Sequence, residues 1–484
     1  MWYYGLLIIP IILIIVIIRT LTFKPKDFPE MKKWHEIDEK HAVESLSKMI
    51  QFKTVSYRDS DKEDSDEFIK FRAFIQSRYP KIMEVATYEE IERGMLFKIP
   101  GTSSEKPVVL MSHYDVVPVQ EGWQDDGFSG KISETHIYGR GTLDTKSTLN
   151  AVMESVEYVL TKGKVFKQDL YLAFSGDEEI NGPSANAIAH TLNNRGIIPY
   201  LVLDEGGAIV SNMFPGVKEK AAVIGIAEKG YYNLKLTVFS RGGHASTPPK
   251  ETPVTILAKA VTQINRSRRF HLKMTPPVKS LFNALAPHSH SFGIKMLFAN
   301  TWLFMPVIKL IAKLSGGEFL AMFKTTLAFT TASGSDAINV LPNEASIGMN
   351  IRIRPGEKIQ DVEMKITKII KSSPVLRKAS IQLNIMDASG PTAISKTDEA
   401  YQLVKRAISV TWPDIVVAPY LMVATTDSRH YHLPYQMFCE HVYKFSPMDV
   451  TKADLAKIHG FDEDISIENV VSGVQFYINL LESL

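Results

Sequence analysis

The segment Val108-Val109-Leu110-Met111-Ser112-His113-Tyr114-Asp115-Val116-Val117-Pro118 is an apolar run that ends in an imidazole and a carboxylate two residues apart. A short, nearly continuous apolar run reads as a strand buried on both faces. In extended chain alternate side chains share a face, so His113 and Asp115 point the same way. A neutral imidazole suits zinc, and a carboxylate behind it fixes the tautomer and raises the basicity. Asp115 is therefore expected to orient His113.

Three further stretches repeat the design. Tyr138-Gly139-Arg140-Gly141-Thr142-Leu143-Asp144-Thr145-Lys146 sets two glycines in a tight turn and Asp144 at the mouth of a helix expected to reach about Leu160. Leu170-Tyr171-Leu172-Ala173-Phe174-Ser175-Gly176 is an apolar run that ends in Asp177-Glu178-Glu179, and Tyr200-Leu201-Val202-Leu203 ends in Asp204-Glu205-Gly206-Gly207. Standing alone, Asp144 would be an ordinary helix N-cap and the acidic run a solvated loop. Four such endings with helical segments between them predict an α/β sheet whose carboxyl edge gathers residues fit to face a cation.

These residues, with RGGHASTPP, NVLPNEASIGMNIRIRPG, TTDSRHY and KIHGFDED further on, resemble the di-zinc exopeptidases of peptidase family M20, in the branch that holds carboxypeptidase S, aminoacylase and N-fatty-acyl-amino-acid synthase/hydrolase. The resemblance runs from about residue 40 to the C-terminus. It implies a mixed central sheet with helices on both faces, an inserted α+β lid or dimerisation domain, and two Zn2+ ions bridged by Asp144. His113 and Asp204 would complete one ion's ligands, with Glu205 the alternative to Asp204, and Glu179 and His459 the other's. Glu178 would be the general base: an unligated carboxylate beside a metal pair can take the proton of an acidified water.

From the start, Trp2 to Ile18 is almost wholly apolar and Arg19, Lys24 and Lys26 follow. Residues 1–18 read as a signal anchor at the lower edge of a membrane span, and 19–40 as a charged tether. The following charges favour a cytosolic body, whereas the resemblance implies a lumenal or extracellular one; the sequon Asn265-Arg266-Ser267 weakly supports the second. Cys439 is the single cysteine, so no intrachain disulfide decides the compartment. A chain of 484 residues exceeds one ordinary core, and a net charge of +2 without a basic stripe points to no nucleic acid. The expected division is 41–220 and 388–484 for the catalytic domain and 221–387 for the lid, with an apolar insert at about 272–330.

Within the lid, strands are expected at 221–239, 345–353 and 380–386, and helices at 253–264 and 361–372. The resemblance makes His244 the residue that reaches a substrate carbonyl, often from the partner of a homodimer, and makes Asn339 and Arg352 the grip on a substrate carboxylate. An arginine fork binds a carboxylate bidentately; Arg354, two residues on, shares the strand face. The insert, with Met296 to Ile311 interrupted by Asn300 and Pro306, reads as helical packing of an enlarged lid or as an apolar surface for acyl chains or membrane. His430 and His432 read as structural, and the segment from Ser466 to about Leu481 as a closing helix. The expected function is a membrane-anchored di-zinc hydrolase of N-acyl amino acids, with a dipeptide-cleaving carboxypeptidase as the alternative and a non-catalytic tethered binding protein as a remote one.

Overall fold

The apolar run ending at His113 closes a long strand, Ser103–His113, paired in parallel with Gln168–Ser175 on one side and Leu201–Asp204 on the other. The computed structural model describes the chain apart from residues 1, 25–29, 215 and 433–438, and apart from the side chains of residues 2–7 and 60. Strand side chains alternate between faces, so Leu110 and Leu172 enter one core while Val109, Met111, Tyr171 and Ala173 enter another. The helices Lys146–Thr161 and Ile467–Ser483 cover the first face, and Ser184–Asn194 covers the second. His113 lies opposite Ser175 across the ladder. The acidic turn after Ser175 therefore emerges beside the histidine.

These strands are the centre of a ten-stranded sheet with both parallel and antiparallel pairings, as expected for the α/β class. Its far side is built from Val442–Lys444, Ala221–Glu228 and Val416–Met422. A second, four-stranded antiparallel sheet runs in the order Thr326–Ser333, Glu344–Ile353, Gly230–Phe239, Ser380–Ser389. The helices Pro253–Arg266 and Ile359–Ser372 lay Leu257, Ala260, Ile264, Val362 and Ile366 on it, giving a separate small core.

Two boundaries differ from the sequence reading. Ala221–Glu228 joins the large sheet, because every residue of it is buried, as a strand inside a two-faced core requires. The chain leaves for the small domain only at Gly230, where a Cβ would stand 2.5 Å from the Ser389 carbonyl oxygen and 2.6 Å from the Gly390 carbonyl carbon; outgoing and returning strands thus cross in close contact.

The insert is also not part of the small domain. Its helices Pro276–Leu285, Phe292–Ala299, Thr301–Ser315 and Gly317–Phe323 bury Val278, Leu281, Phe282, Leu285, Phe298 and Met322 in the core of the large domain. The spacing of 278, 281, 282 and 285 is one apolar helical stripe. That stripe covers Val416–Met422, which among the described residues pairs with Ala221–Glu228 alone and would otherwise leave an exposed edge.

The first helix, Trp2–Thr22, is docked on this insert. Asn300, buried at the 115° bend between two insert helices, donates through Nδ2 to the Thr20 hydroxyl at 3.1 Å, and Arg19 donates to the Ala299 carbonyl at 2.8 Å. Among the described residues no single helix is long and apolar enough to cross a membrane; Ile8–Thr22 is a shorter apolar helix. Replacing Asn300 with Ala strands the Thr20 contact in a buried setting and should lower stability by about 1–3 kcal/mol, read by urea unfolding. An unchanged midpoint would mean that the helix is not held there.

Candidate metal centre

The tight turn foreseen at Gly139–Gly141 is held by a buried acid from the C-terminal segment. Glu463 is fully buried; its Oε1 accepts from the backbone N–H groups of Leu143 at 2.7 Å and Gly141 at 3.1 Å. Its Oε2 accepts from Arg140 Nη1 at 2.7 Å, and Arg140 Nη2 donates to the Gly460 carbonyl at 2.7 Å. One ion pair therefore fixes both the Asp144 turn and the loop that carries His459.

Between those loops Asp144 offers its two oxygens to different histidines. Oδ1 lies 3.1 Å from His113 Nε2, and Oδ2 lies 3.1 Å from His459 Nε2. Glu179 Oε2 is 3.1 Å from the same His459 nitrogen, and Glu205 Oε1 is 3.4 Å from His113 Nε2. His113 Nδ1 sits 3.0 Å from the Asp115 carbonyl and 3.3 Å from Asp115 Oδ1. With Nδ1 carrying the proton toward these acceptors, Nε2 presents its lone pair to the cluster. His113, Asp144 and Glu179 hold donor atoms within 4.8 Å of one another.

Electrostatics supports a cation here. Burial pushes the Glu205 carboxyl up to about 8 and lifts Glu178 well above the usual range, with the neighbouring Asp427 adding to it. Hydrogen bonds to Asp144 and Glu179 push His459 up to about 10. Asp144, despite its burial, is held low by His113 and His459. Glu179 Oε1 is buried without a hydrogen-bond partner among the described residues. So many acids around two imidazoles, one with an orphaned oxygen, fit a pair of divalent ions with Asp144 between them.

Of the Asp204-Glu205 pair, Glu205 is the acid placed beside His113, at 3.4 Å. Asp204 is buried but faces away from the cluster: Oδ2 accepts from Ser428 N–H at 2.8 Å and Oδ1 from Glu205 N–H at 2.9 Å. Its carboxylate is spent on anchoring the Thr425–His432 loop to the sheet, and Glu205 is the acid of the pair that reaches His113. The strand ends at Asp204, so the first residue beyond it turns toward the site.

Glu178 lines the same cavity, of about 360 Å3, together with Asp144, Glu179, Glu205, His459 and Arg352. Arg352 is half-buried and braced by a 3.2 Å bond from its Nε to Asn350 Oδ1. Arg354 is buried elsewhere, against Glu357. His244 and Asn339 are exposed and do not line this cavity within the chain; His244 pairs with Val340, the residue after Asn339, and His244 Nδ1 meets the Ser246 hydroxyl at 2.7 Å. His432 is buried 3.1 Å from Lys444 Nζ, away from the cluster. The sequence reading missed Glu463 and the part of the TTDSRHY loop that supports the site: buried Arg429 donates to Asn181 Oδ1 at 3.2 Å, and Asp427, pushed up to about 7 by burial, accepts from the Ser175 hydroxyl. Both stretches carried quoted motifs, but nothing in their spacing showed which member turns inward.

The model of peptidase family M20/M25/M40 matches residues 109–483. The chain belongs to this family. It is 33% identical over 98% of its length to the probable carboxypeptidase S-like 2 of Dictyostelium discoideum, covering 92% of that protein. It is 31% identical over 98% of its length to the N-fatty-acyl-amino acid synthase/hydrolase PM20D1 of Xenopus tropicalis, covering 93% of it. Among solved structures, the M20 metallo-carboxypeptidase Sso-CP2 of Sulfolobus solfataricus superposes with a TM-score of 0.66 at 15% identity, covering 91% of this chain and 98% of that one. Human carnosine dipeptidase 1 superposes at 0.61 with 14% identity, covering 92% and 97%. As a member of this M20 family the protein is a hydrolase that acts on amide bonds.

The choice between Glu205 and Asp204 as ligand has a direct test in metal content by plasma mass spectrometry. Glu205→Gln should lose about one metal per chain, while Asp204→Asn keeps both and loses stability instead. The reverse pattern would restore Asp204 as the ligand.

Proposed function

We propose that this protein is a zinc-dependent amidohydrolase that cleaves, and in the reverse direction forms, the amide bond of N-acyl amino acids, including N-fatty-acyl amino acids. The observation that carries the reading is a cavity in which a cluster of metal-ligand type and one half-buried arginine face the same 360 Å3 space. An N-acyl amino acid has one amide and one carboxylate, and only those two groups need polar recognition. The relatives named for N-fatty-acyl-amino acid synthesis and hydrolysis supply the substrate class.

The residues divide the work. Arg352 takes the substrate carboxylate in a two-pronged hydrogen bond and so fixes the amide's position. His113, Asp144, Glu179, Glu205 and His459 would hold two zinc ions, which suit mixed imidazole and carboxylate donors. When bound, such a pair polarises the carbonyl and acidifies water. Glu178, which lines the cavity beside Glu179, accepts the proton of the attacking water and returns it to the leaving nitrogen. Asp115 holds His113 in the tautomer that leaves Nε2 free to bind. His244 is proposed to enter from a second copy and donate to the carbonyl oxygen as it gains charge, with Asn339 joining Arg352 on the carboxylate, which makes the homodimer the working form.

Membrane association belongs to the same proposal, with the body on the lumenal or extracellular side. Its support is the row of exposed apolar residues on the first helix, among them Ile11, Ile14 and Ile18, and on the insert helix that carries exposed Trp302, Leu310 and Leu314.

Incubated with long-chain N-acyl amino acids and with dipeptides, the protein should release free amino acid from the former, and a chelator should abolish it. Cleavage of dipeptides alone would make it a carboxypeptidase S-like exopeptidase. Glu178→Gln should lower kcat by about 10²–10⁴-fold with metal content unchanged. Normal turnover in that variant would overturn the assigned base.

A further inference from the structure

We propose that a second cavity, walled by the apolar insert, is the binding site for the substrate's acyl chain; this rests on the N-acyl amino acid reading of the metal cavity. The second cavity is about 510 Å3, and its apolar lining comes from Met213, Phe214, Phe319, Met322 and Leu455. Leu455 also lines the metal cavity, so the two spaces adjoin at this residue. The strand Val416–Met422 connects them as well. Its Tyr420 lines the second cavity and its Met422 the metal cavity, two residues or roughly 7 Å apart along the strand.

Size fits a hydrocarbon tail, and the apolar residues outnumber Ser315, Glu318 and Lys452 in the lining. At about 360 Å3 the metal cavity sits near the lower end of the roughly 300–1,000 Å3 typical of small-molecule sites. It must hold the amide, the amino-acid part and the attacking water, which leaves a long chain to extend elsewhere. The polar atoms of the second cavity are partly used internally, since the Tyr420 hydroxyl donates to Glu318. Its rim is open: Gly316 and Gly317, at φ of 65° and 50°, have no heavy atom within 4 Å of where a Cβ would stand. The helix Gly317–Phe323 that follows them gives the insert a role beyond covering the sheet edge.

Ala456 tests this with little risk to the fold, because it is exposed, lines the second cavity and does not line the first. Ala456→Trp should fill the space, and Met213→Trp fills it from the opposite wall. The full-length protein is titrated with cis-parinaric acid, a fluorescent fatty acid, and assayed on N-acyl amino acids of rising chain length. The wild type should bind the probe, and its kcat/KM should rise by up to about fourfold per buried methylene. Both variants should lose probe affinity at least tenfold and lose the chain-length dependence, while turnover of an N-acetyl amino acid stays within twofold. Equal probe binding by variants and wild type, or none by the wild type, overturns the acyl site. Probe binding that the variants abolish, with no N-acyl amino acid hydrolysed by the wild type, supports the acyl site and overturns the proposed activity instead.

Discussion

The carboxylate of Asp115, buried without measurable exposure, ties together three loops of the chain beyond the ends of the strands. Its Oδ1 faces His113 Nδ1 and accepts from the backbone N–H of Glu178; its Oδ2 accepts from Glu179 N–H and from the Ser56 hydroxyl at 2.6 Å. One anion thereby sets the ring plane of a metal ligand and the direction in which the next two acids leave the sheet. Burying a carboxylate is costly unless its lone pairs are filled, and here four donors converge on it. Glu463 does the same for the Asp144 turn from the other end of the chain. Cations at the centre would then be held by ligands that are themselves held, which is how a metal site keeps its geometry.

The strand-and-acid pattern made the large sheet and its carboxyl edge legible, because a buried strand that stops at a charged residue leaves few other readings. The final helix and the two helices on the small sheet were legible from their apolar stripes, down to their approximate ends. The choice between Asp204 and Glu205 was not, since a strand end and the residue after it differ by a rotation that only the neighbouring Ser428 N–H decides. For Arg352 against Arg354 the period-two spacing was equally silent. What separates them is surroundings: Arg354 meets Glu357 from the next turn, while Arg352 looks into the cavity.

The insert shows why a run of apolar residues does not announce its partner. Its helices carry the stripes of a packed element, and sequence neighbours suggested the small domain. The edge strand Val416–Met422, distant in sequence, has the larger apolar demand, and the helices go there.

The central claim is a two-metal centre in which Asp144 is shared. Anomalous diffraction recorded at the zinc edge on crystals of the protein tests it most directly. Two peaks should flank the Asp144 carboxylate, one beside His113 and Glu205 and the other beside Glu179 and His459. A single peak, or a second one away from Asp144, would contradict the account.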